Sequence, residues 1–447
     1  MAVSVFKAYD IRGIYNKDFD KELAYKVGYF LSRLLKAKNI VVGRDVRLSS
    51  EEIFNSLCAG ITDSGTDVWD IGLATTPMVY FATSFFASDA SVQITASHNP
   101  KEYNGMKISK KGSLPVGYET GLKDLEEMVN TSVITKSSAK GQIINKDAKS
   151  PYLEFLQKYI SSIENLNLSI DLSHGMANLL TKELLGENHH YLYDHLDGTF
   201  PAHEPNPLIE ENCEDIKAAV LANNSDIGII FDGDADRVMF IDELGRFIQP
   251  DYITGLIGKY FLEKEKASVL IDIRTSRSTS EYLKSLGADV VTWKVGHAFA
   301  KLKLREIDGI FGGELAGHYY FKDFFYCDSA MVATLIVLDV VAKLKQQGVS
   351  LSQFIDSFVK YANSGEINFA ITEKDLAMET LYNRFVTEDR PTAVYDFDGY
   401  RIEFDSWWFN VRKSNTEGYL RLITEAATKE LLAEKLAELR KIIGKFS

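Results

Sequence analysis

Cysteine is scarce in this chain: Cys58, Cys213 and Cys327 are the three among 447 residues, odd in number and far apart. That spacing excludes a disulfide framework and a Cys-x-x-Cys metal knuckle, and it suits a reducing compartment. Long apolar runs are missing as well. The strongest, AMVATLIVLDVVAKL, is short and interrupted by Asp339, and the first residues, MAVSVFKAYDIRG, carry charge where a secretory signal is apolar. A soluble cytoplasmic protein without a membrane partner is therefore expected. Positive charge is in deficit, since 50 Lys+Arg against 63 Asp+Glu leave a net charge of −13. Such a surface repels nucleic acid and anionic membranes at long range. It still allows a small anionic substrate in a locally basic cleft.

What is present is apolar material for packed cores, 45% hydrophobic and 12% aromatic, which excludes global disorder. At roughly 100 to 200 residues per domain, the length predicts three or four domains. Several segments repeat one theme of β-branched run, Gly- or Asp-containing turn and helical spacing. NIVVGRDVRLSSEEIFNSLCAGI reads as strand, loop and helix with Ser49 or Ser50 as N-cap, and TDVWDIG and SVQIT read as further strands. Strands alternating with helices predict parallel or mixed sheets, with functional loops at the strand C-termini. The polar stretch from about 130 to 150 reads as a connection, GRFIQPDY as a crossing near Arg246, and KYANSGEINF as a final link. Beyond it the pattern alternates in period two, with a hairpin signal at Asp398-Gly399, and closes on an amphipathic helix. The last unit is thus α+β.

Four loops carry chemistry. In TASHNP, Ser97 lies on a loop beside His98, with Lys107 soon after in YNGMK, a hydroxyl that could take part in group transfer near cations. A simple Asn-Pro turn explains the composition as readily. In IIFDGDADR, Asp232, Asp234 and Asp236 stand at i, i+2 and i+4 after a buried-strand run, so three carboxylates can converge on one hard cation. A calcium loop fits poorly, because Arg237 occupies the sixth position where glycine is needed. A Mg²⁺ with positions open to phosphate oxygens fits better. In GGELAGH, glycines around Glu314 and His318 let a polyol approach the backbone, although a plain Gly-rich turn is also compatible. In NVRKSNTEG, Arg412, Ser414, Asn415 and Thr416 offer a guanidinium fork, hydroxyls and an amide for one phosphate. Together the loops supply the parts a phosphosugar enzyme needs.

At these residues the chain resembles the α-D-phosphohexomutase superfamily, in its phosphomannomutase/phosphoglucomutase branch. FKAYDIRG, VVGRDVRLSS, TTPMVYFA, TASHNP with YNGMK, EPNPL, DGDADR, GHAFAK, GGELAGH and RKSNTEG occur in the family's order along nearly the whole chain. The resemblance implies a four-domain α/β architecture around a central cleft: three similar α/β domains with mixed sheets and a C-terminal α+β domain. The expected ranges are 1–145, 146–248, 249–364 and 365–447. It further implies that Ser97 is phosphorylated and joins Asp232, Asp234 and Asp236 around Mg²⁺, and that Arg237 steadies the phosphoserine. Tyr9, Arg12, His98 and Lys107 match catalytic positions, Lys107 as candidate general acid/base. His297, Glu314 and His318 match sugar contacts, and Arg412, Ser414, Asn415, Thr416 and Arg421 match the phosphate clamp. Two positions depart from the family pattern, Ala316 where many members have serine and Gly418 where proline is usual. The implied activity is conversion between hexose 6-phosphate and hexose 1-phosphate, of mannose or glucose, through a hexose 1,6-bisphosphate that also serves as activator. A monomer or homodimer is expected. Phosphoglucosamine mutase, an aspartate-nucleophile phosphotransferase and a non-catalytic sugar-phosphate binder are the alternatives.

Overall fold

A computed structural model describes residues 5–160, 163–414 and 418–446. Among the described residues the β-branched runs form four sheets. In the first, the order is Ile11–Ile14, Tyr103–Lys110, Ala90–Ile94, Asn39–Arg44, Asp67–Leu73 and Ile143–Asn145. Ala90–Ile94, Asn39–Arg44 and Asp67–Leu73 are parallel, whereas Tyr103–Lys110 returns antiparallel with Lys107 opposite Gln93. The loop carrying Ser97 and the strand carrying Lys107 are therefore neighbours by register.

The second sheet runs Phe247–Ile248, Val238–Asp242, Ile227–Phe231, Leu168–Asp171 and His190–Leu192. Its strand Ile227–Phe231 is buried throughout, parallel to Leu168–Asp171 and antiparallel to Val238–Asp242, with Phe231 opposite Val238. The acidic loop is the short connection between those two strands. The third sheet runs Asp289–Trp293, Ser268–Asp272, Phe311–Gly313, Tyr319–Phe321 and Cys327–Asp328, and again mixes parallel and antiparallel pairs. In the fourth, Ala362–Asn363, Leu420–Ala426, Trp407–Lys413, Tyr400–Glu403 and Ala393–Tyr395 are all antiparallel, and Ile367–Phe369 also pairs with Leu420–Ala426. Three mixed-sheet α/β domains and an α+β fourth make up the architecture.

Two segments read as connections turn out to contribute strands. Ile143–Asn145 adds an exposed edge strand against Asp67–Leu73, and the stretch near 360 to 369 supplies Ala362–Asn363 and Ile367–Phe369. Their side chains bury little, so hydropathy does not mark them; backbone pairing holds them.

The largest core runs through the first three domains. Phe81, on the helix Thr76–Phe85, lies 5.2 Å from the Tyr152 ring, which in turn lies 6.0 Å from Phe324. Full burial of each such ring contributes about 1.5–3 kcal/mol. The fourth domain keeps its own core around Phe385, Trp407 and Phe409. The apolar stretch noted above is the buried helix Ala330–Gln346, in which Asp339 pairs with Lys343 at 2.6 Å. No helix of the described residues is long and apolar enough to cross a membrane.

Candidate active site

Ser97 follows the strand Ala90–Ile94 on a loop that is buried rather than exposed: the serine is 1% accessible. Its φ of 50° is uncommon for a residue with a Cβ and is held from several sides. Its N–H donates to Thr95 Oγ1 at 2.9 Å, and its hydroxyl donates to Asp232 Oδ2 at 2.8 Å. His98 Nδ1 stands 3.3 Å from the same hydroxyl, and burial, reinforced by Arg237 and Arg12, keeps that imidazole neutral by moving its pKa well below the usual range. Beneath the loop lies Arg47, to which no role was assigned from sequence. Its guanidinium donates to the carbonyls of Ser97 (2.9 Å), Asn99 (2.6 Å), Pro100 (2.7 Å) and Tyr103 (3.1 Å). Arg12 donates to Asn99 Oδ1 at 2.6 Å and pairs with Asp10 at 2.5 Å.

Asp232, Asp234 and Asp236 are fully buried, and their carboxylate oxygens lie within 4.8 Å of one another. Gly233 lets this loop pass under the serine, because a Cβ there would stand 2.5 Å from Ser97 O. Burial, followed by the neighbouring Asp234 and Asp236, pushes the Asp232 carboxyl well above its usual range. Asp234 Oδ1 and Asp236 Oδ1 have no hydrogen-bond partner among the described residues. A buried, mutually repelling, oxygen-only donor set with open lone pairs fits a hard divalent cation. In the present arrangement Lys107 neutralises part of that charge, donating to Asp234 at 2.7 Å and Asp236 at 2.5 Å. Burial by itself would lower the Lys107 pKa, but those carboxylates raise it above the ordinary lysine value and hold the ammonium charged. Thr76, at the start of its helix, is a second residue without an assigned role; its hydroxyl donates to Asp234 Oδ2 at 2.6 Å.

On the far side, Arg237 Nε donates to His318 Nε2 at 3.0 Å, which leaves the ring proton on Nδ1, 2.7 Å from Asp328 Oδ2. Lys301 closes the chain 2.7 Å from Asp328 Oδ1. Burial alone would raise the Asp328 carboxyl, yet Lys301 and His318 hold it well below its usual range. Asp236, His318 and Asp328 also form a compact group of metal-type ligands. Arg237, outside this group, donates to His318 Nε2, and Lys301 counters the Asp328 charge, so cations of the protein itself already face these ligands. His297 lies 5.8 Å from the His318 ring and 5.4 Å from the Tyr9 ring. Glu314 accepts from Gly296 N–H at 2.9 Å.

Arg412 is 1% accessible on the strand Trp407–Lys413 and donates through Nε to Asp398 Oδ1 at 3.1 Å. Arg421 on Leu420–Ala426 pairs with Glu366 at 3.1 Å, and the Ser414 N–H donates to Tyr419 O at 3.0 Å. Asn415 and Thr416 lie outside the described residues. The structure thus joins Ser97, His98, Lys107, Arg237, His318, His297 and Tyr9 through direct contacts, and Arg412 through Asp398.

Four family models match the chain in order. They are the Phosphoglucomutase/phosphomannomutase alpha/beta/alpha domain I over residues 3–133, domain II over 150–245, domain III over 249–361 and the C-terminal domain over 366–442. The chain belongs to the phosphoglucomutase/phosphomannomutase family. Its curated relatives include a Vibrio cholerae protein named phosphomannomutase, 37% identical and covering 99% of both chains. A Methanocaldococcus jannaschii phosphomannomutase is 35% identical over 99% of this chain and 98% of its own. Among solved structures, a phosphoglucomutase/phosphomannomutase family protein from Burkholderia thailandensis superposes with a TM-score of 0.87 at 27% identity, covering 99% of this chain and 98% of its own. Membership of this phosphoglucomutase/phosphomannomutase family makes the protein an isomerase of the phosphotransferase kind.

Proposed function

We propose that the protein interconverts hexose 6-phosphate and hexose 1-phosphate through phosphorylated Ser97, with mannose or glucose as the sugar. The observation that carries the reading is the Ser97 hydroxyl 2.8 Å from Asp232 and 3.3 Å from the neutral His98. In the first half-reaction a free sugar hydroxyl oxygen forms a bond to the serine-borne phosphorus, the Ser97 Oγ–P bond breaks, and the hydroxyl proton leaves to a base. The bisphosphorylated sugar then presents its other phosphate, which returns to Ser97 Oγ by the reverse chemistry. His98 is placed to exchange the serine proton. Lys107 and Arg237 are assigned to the charge on the transferring group, and Lys107, held charged beside Asp234 and Asp236, is the candidate general acid/base. Asp232, Asp234 and Asp236 are the residues that would hold Mg²⁺, which when bound supplies charge neutralisation of the transferring phosphoryl group.

Glu314, His297 and His318 are assigned to the sugar hydroxyls, and Arg412, Ser414, Asn415, Thr416 and Arg421 to the distal phosphate. A hexose 1,6-bisphosphate is the proposed activator, since it can phosphorylate Ser97 directly. Ser97→Ala is expected to abolish nearly all turnover while retaining substrate binding; undiminished activity would refute the assignment. The isolated phosphoenzyme should survive hydroxylamine, whereas cleavage would point instead to an acyl phosphate on Asp232. A coupled assay comparing kcat/KM for mannose 1-phosphate and glucose 1-phosphate sets the sugar preference.

A further inference from the structure

The Asp398-Gly399 turn reads in sequence as a hairpin signal and nothing more. In the fold it joins Ala393–Tyr395 to Tyr400–Glu403 and is wedged between two domains. On one side it presses against the strand of Arg412: Gly399 has φ +66°, and a Cβ there would lie 2.2 Å from Val411 O. On the other, the Phe397 ring stacks at 5.7 Å on Trp293, the last residue of the third-domain strand Asp289–Trp293. Asp398 uses both carboxylate oxygens across this seam. Oδ1 accepts from Arg412 Nε at 3.1 Å and Oδ2 accepts from Val295 N–H at 2.8 Å.

Residues 295 to 297 are a junction of three domains. Val295 O accepts from the Tyr9 hydroxyl at 3.2 Å, Gly296 N–H donates to Glu314 at 2.9 Å, and the next residue is His297. At the other end of the tie, Arg412 is almost wholly buried, and its Nη2 has no hydrogen-bond partner among the described residues. An uncompensated guanidinium nitrogen in such a place is costly unless an anion completes it.

We propose that Asp398 is a positioning residue that aims Arg412 at the distal phosphate and ties that clamp to the His297 loop. Its carboxylate fixes the Nε edge of the guanidinium, so the remaining Nη edge is presented to the ligand without a search over side-chain rotamers. Through Val295 the same carboxylate keeps the sugar-contact loop in register with the clamp. This inference rests on the assignment of Arg412 to the phosphate, and the experiment separates the two.

Steady-state kinetics with mannose 1-phosphate would compare wild type, D398N, D398A, R412A and the D398A/R412A pair. R412A is expected to raise KM. D398A should raise KM about tenfold, the size of one lost charge-assisted hydrogen bond, while kcat stays within about threefold. D398N keeps the shape but turns one acceptor into a donor, so it should raise KM as well, and it decides the matter if D398A melts early. The double variant should fall short of the product of the two single losses, because the share of the Asp398 effect that runs through Arg412 is already gone in R412A and only the share carried through Val295 remains. A normal KM in folded D398N, or a double variant whose losses multiply, overturns the proposal while leaving the clamp intact. An unchanged KM in R412A overturns the clamp assignment and this inference with it.

Discussion

Arg47 donates four hydrogen bonds to carbonyls of the Ser97 loop and the strand that follows it, yet it has no assigned part in the chemistry. Four carbonyls converge on its guanidinium, so the loop is shaped from below by one planar fork. A lysine offers charge but no fork. Arg47→Lys is expected to lower kcat about 100-fold, the usual result of displacing a reacting group by about an ångström, with KM little changed. A kcat equal to wild type would show that the loop holds its shape without Arg47. The motif containing Arg47 was legible in sequence, but its partners were not, since they lie some fifty residues along the chain. Ser97 illustrates the same limit: its chemistry could be read, whereas its burial depends on Gly233 and Arg47, which approach its carbonyl from elsewhere in the chain.

Among the elements, the helix Pro250–Leu262 carries an unusual acid in its first turn. Asp251 accepts from Ser276 N–H at 2.8 Å, at the cap of the helix Arg277–Ser285, yet burial pushes its pKa up to about 7. In the unfolded chain an aspartate titrates near 3.9. Between those values the folded protein retains a proton that the unfolded chain has released, so stability falls as pH rises through the window and the loss is complete above it. The span corresponds to up to about 4 kcal/mol. Asp251→Asn removes the titration and preserves the acceptor for Ser276. The variant should melt above wild type at pH 8, with a lead that shrinks as pH falls and is only about a third as large at pH 5; an equal difference at both pH values would assign the effect elsewhere. Sequence reads GRFIQPDY as a crossing, whereas Pro250 opens this helix, and nothing local marks the acid as buried, since an acid in a first helical turn is favourable when exposed.

At the scale of the whole molecule, one core spans parts of the first three domains, the first keeps a second core of its own, and the fourth is built round a separate one. The seam to the fourth is largely polar, with Arg401 donating to Ile273 O and Thr275 O at 2.8 Å each and a small apolar contact among Leu315, Trp408 and Ile423. Such interfaces leave domains free to open separately. Native-state hydrogen exchange should therefore release the strands Trp407–Lys413 and Leu420–Ala426 at a lower free energy than Ile227–Phe231; a single shared value would mean that all four domains unfold together. The net charge of −13 is compatible with anionic substrates because local cations, Arg12 and Lys107 from the first domain, Arg237 from the second and Arg412 from the fourth, stand at the loops that carry the chemistry. By itself the sequence determined what is local: strands read from apolar runs, three acids on one tight turn, and a serine, a histidine and a phosphate-type loop in a recognisable order. Tertiary structure alone decided that Ser97 meets Asp232, that Lys107 sits as counter-ion among the acids, and that Asp398 joins Arg412 to Val295. The reason is that turn and strand preferences act over a few residues. A hydrogen bond across a domain seam depends instead on how whole sheets pack, to within fractions of an ångström.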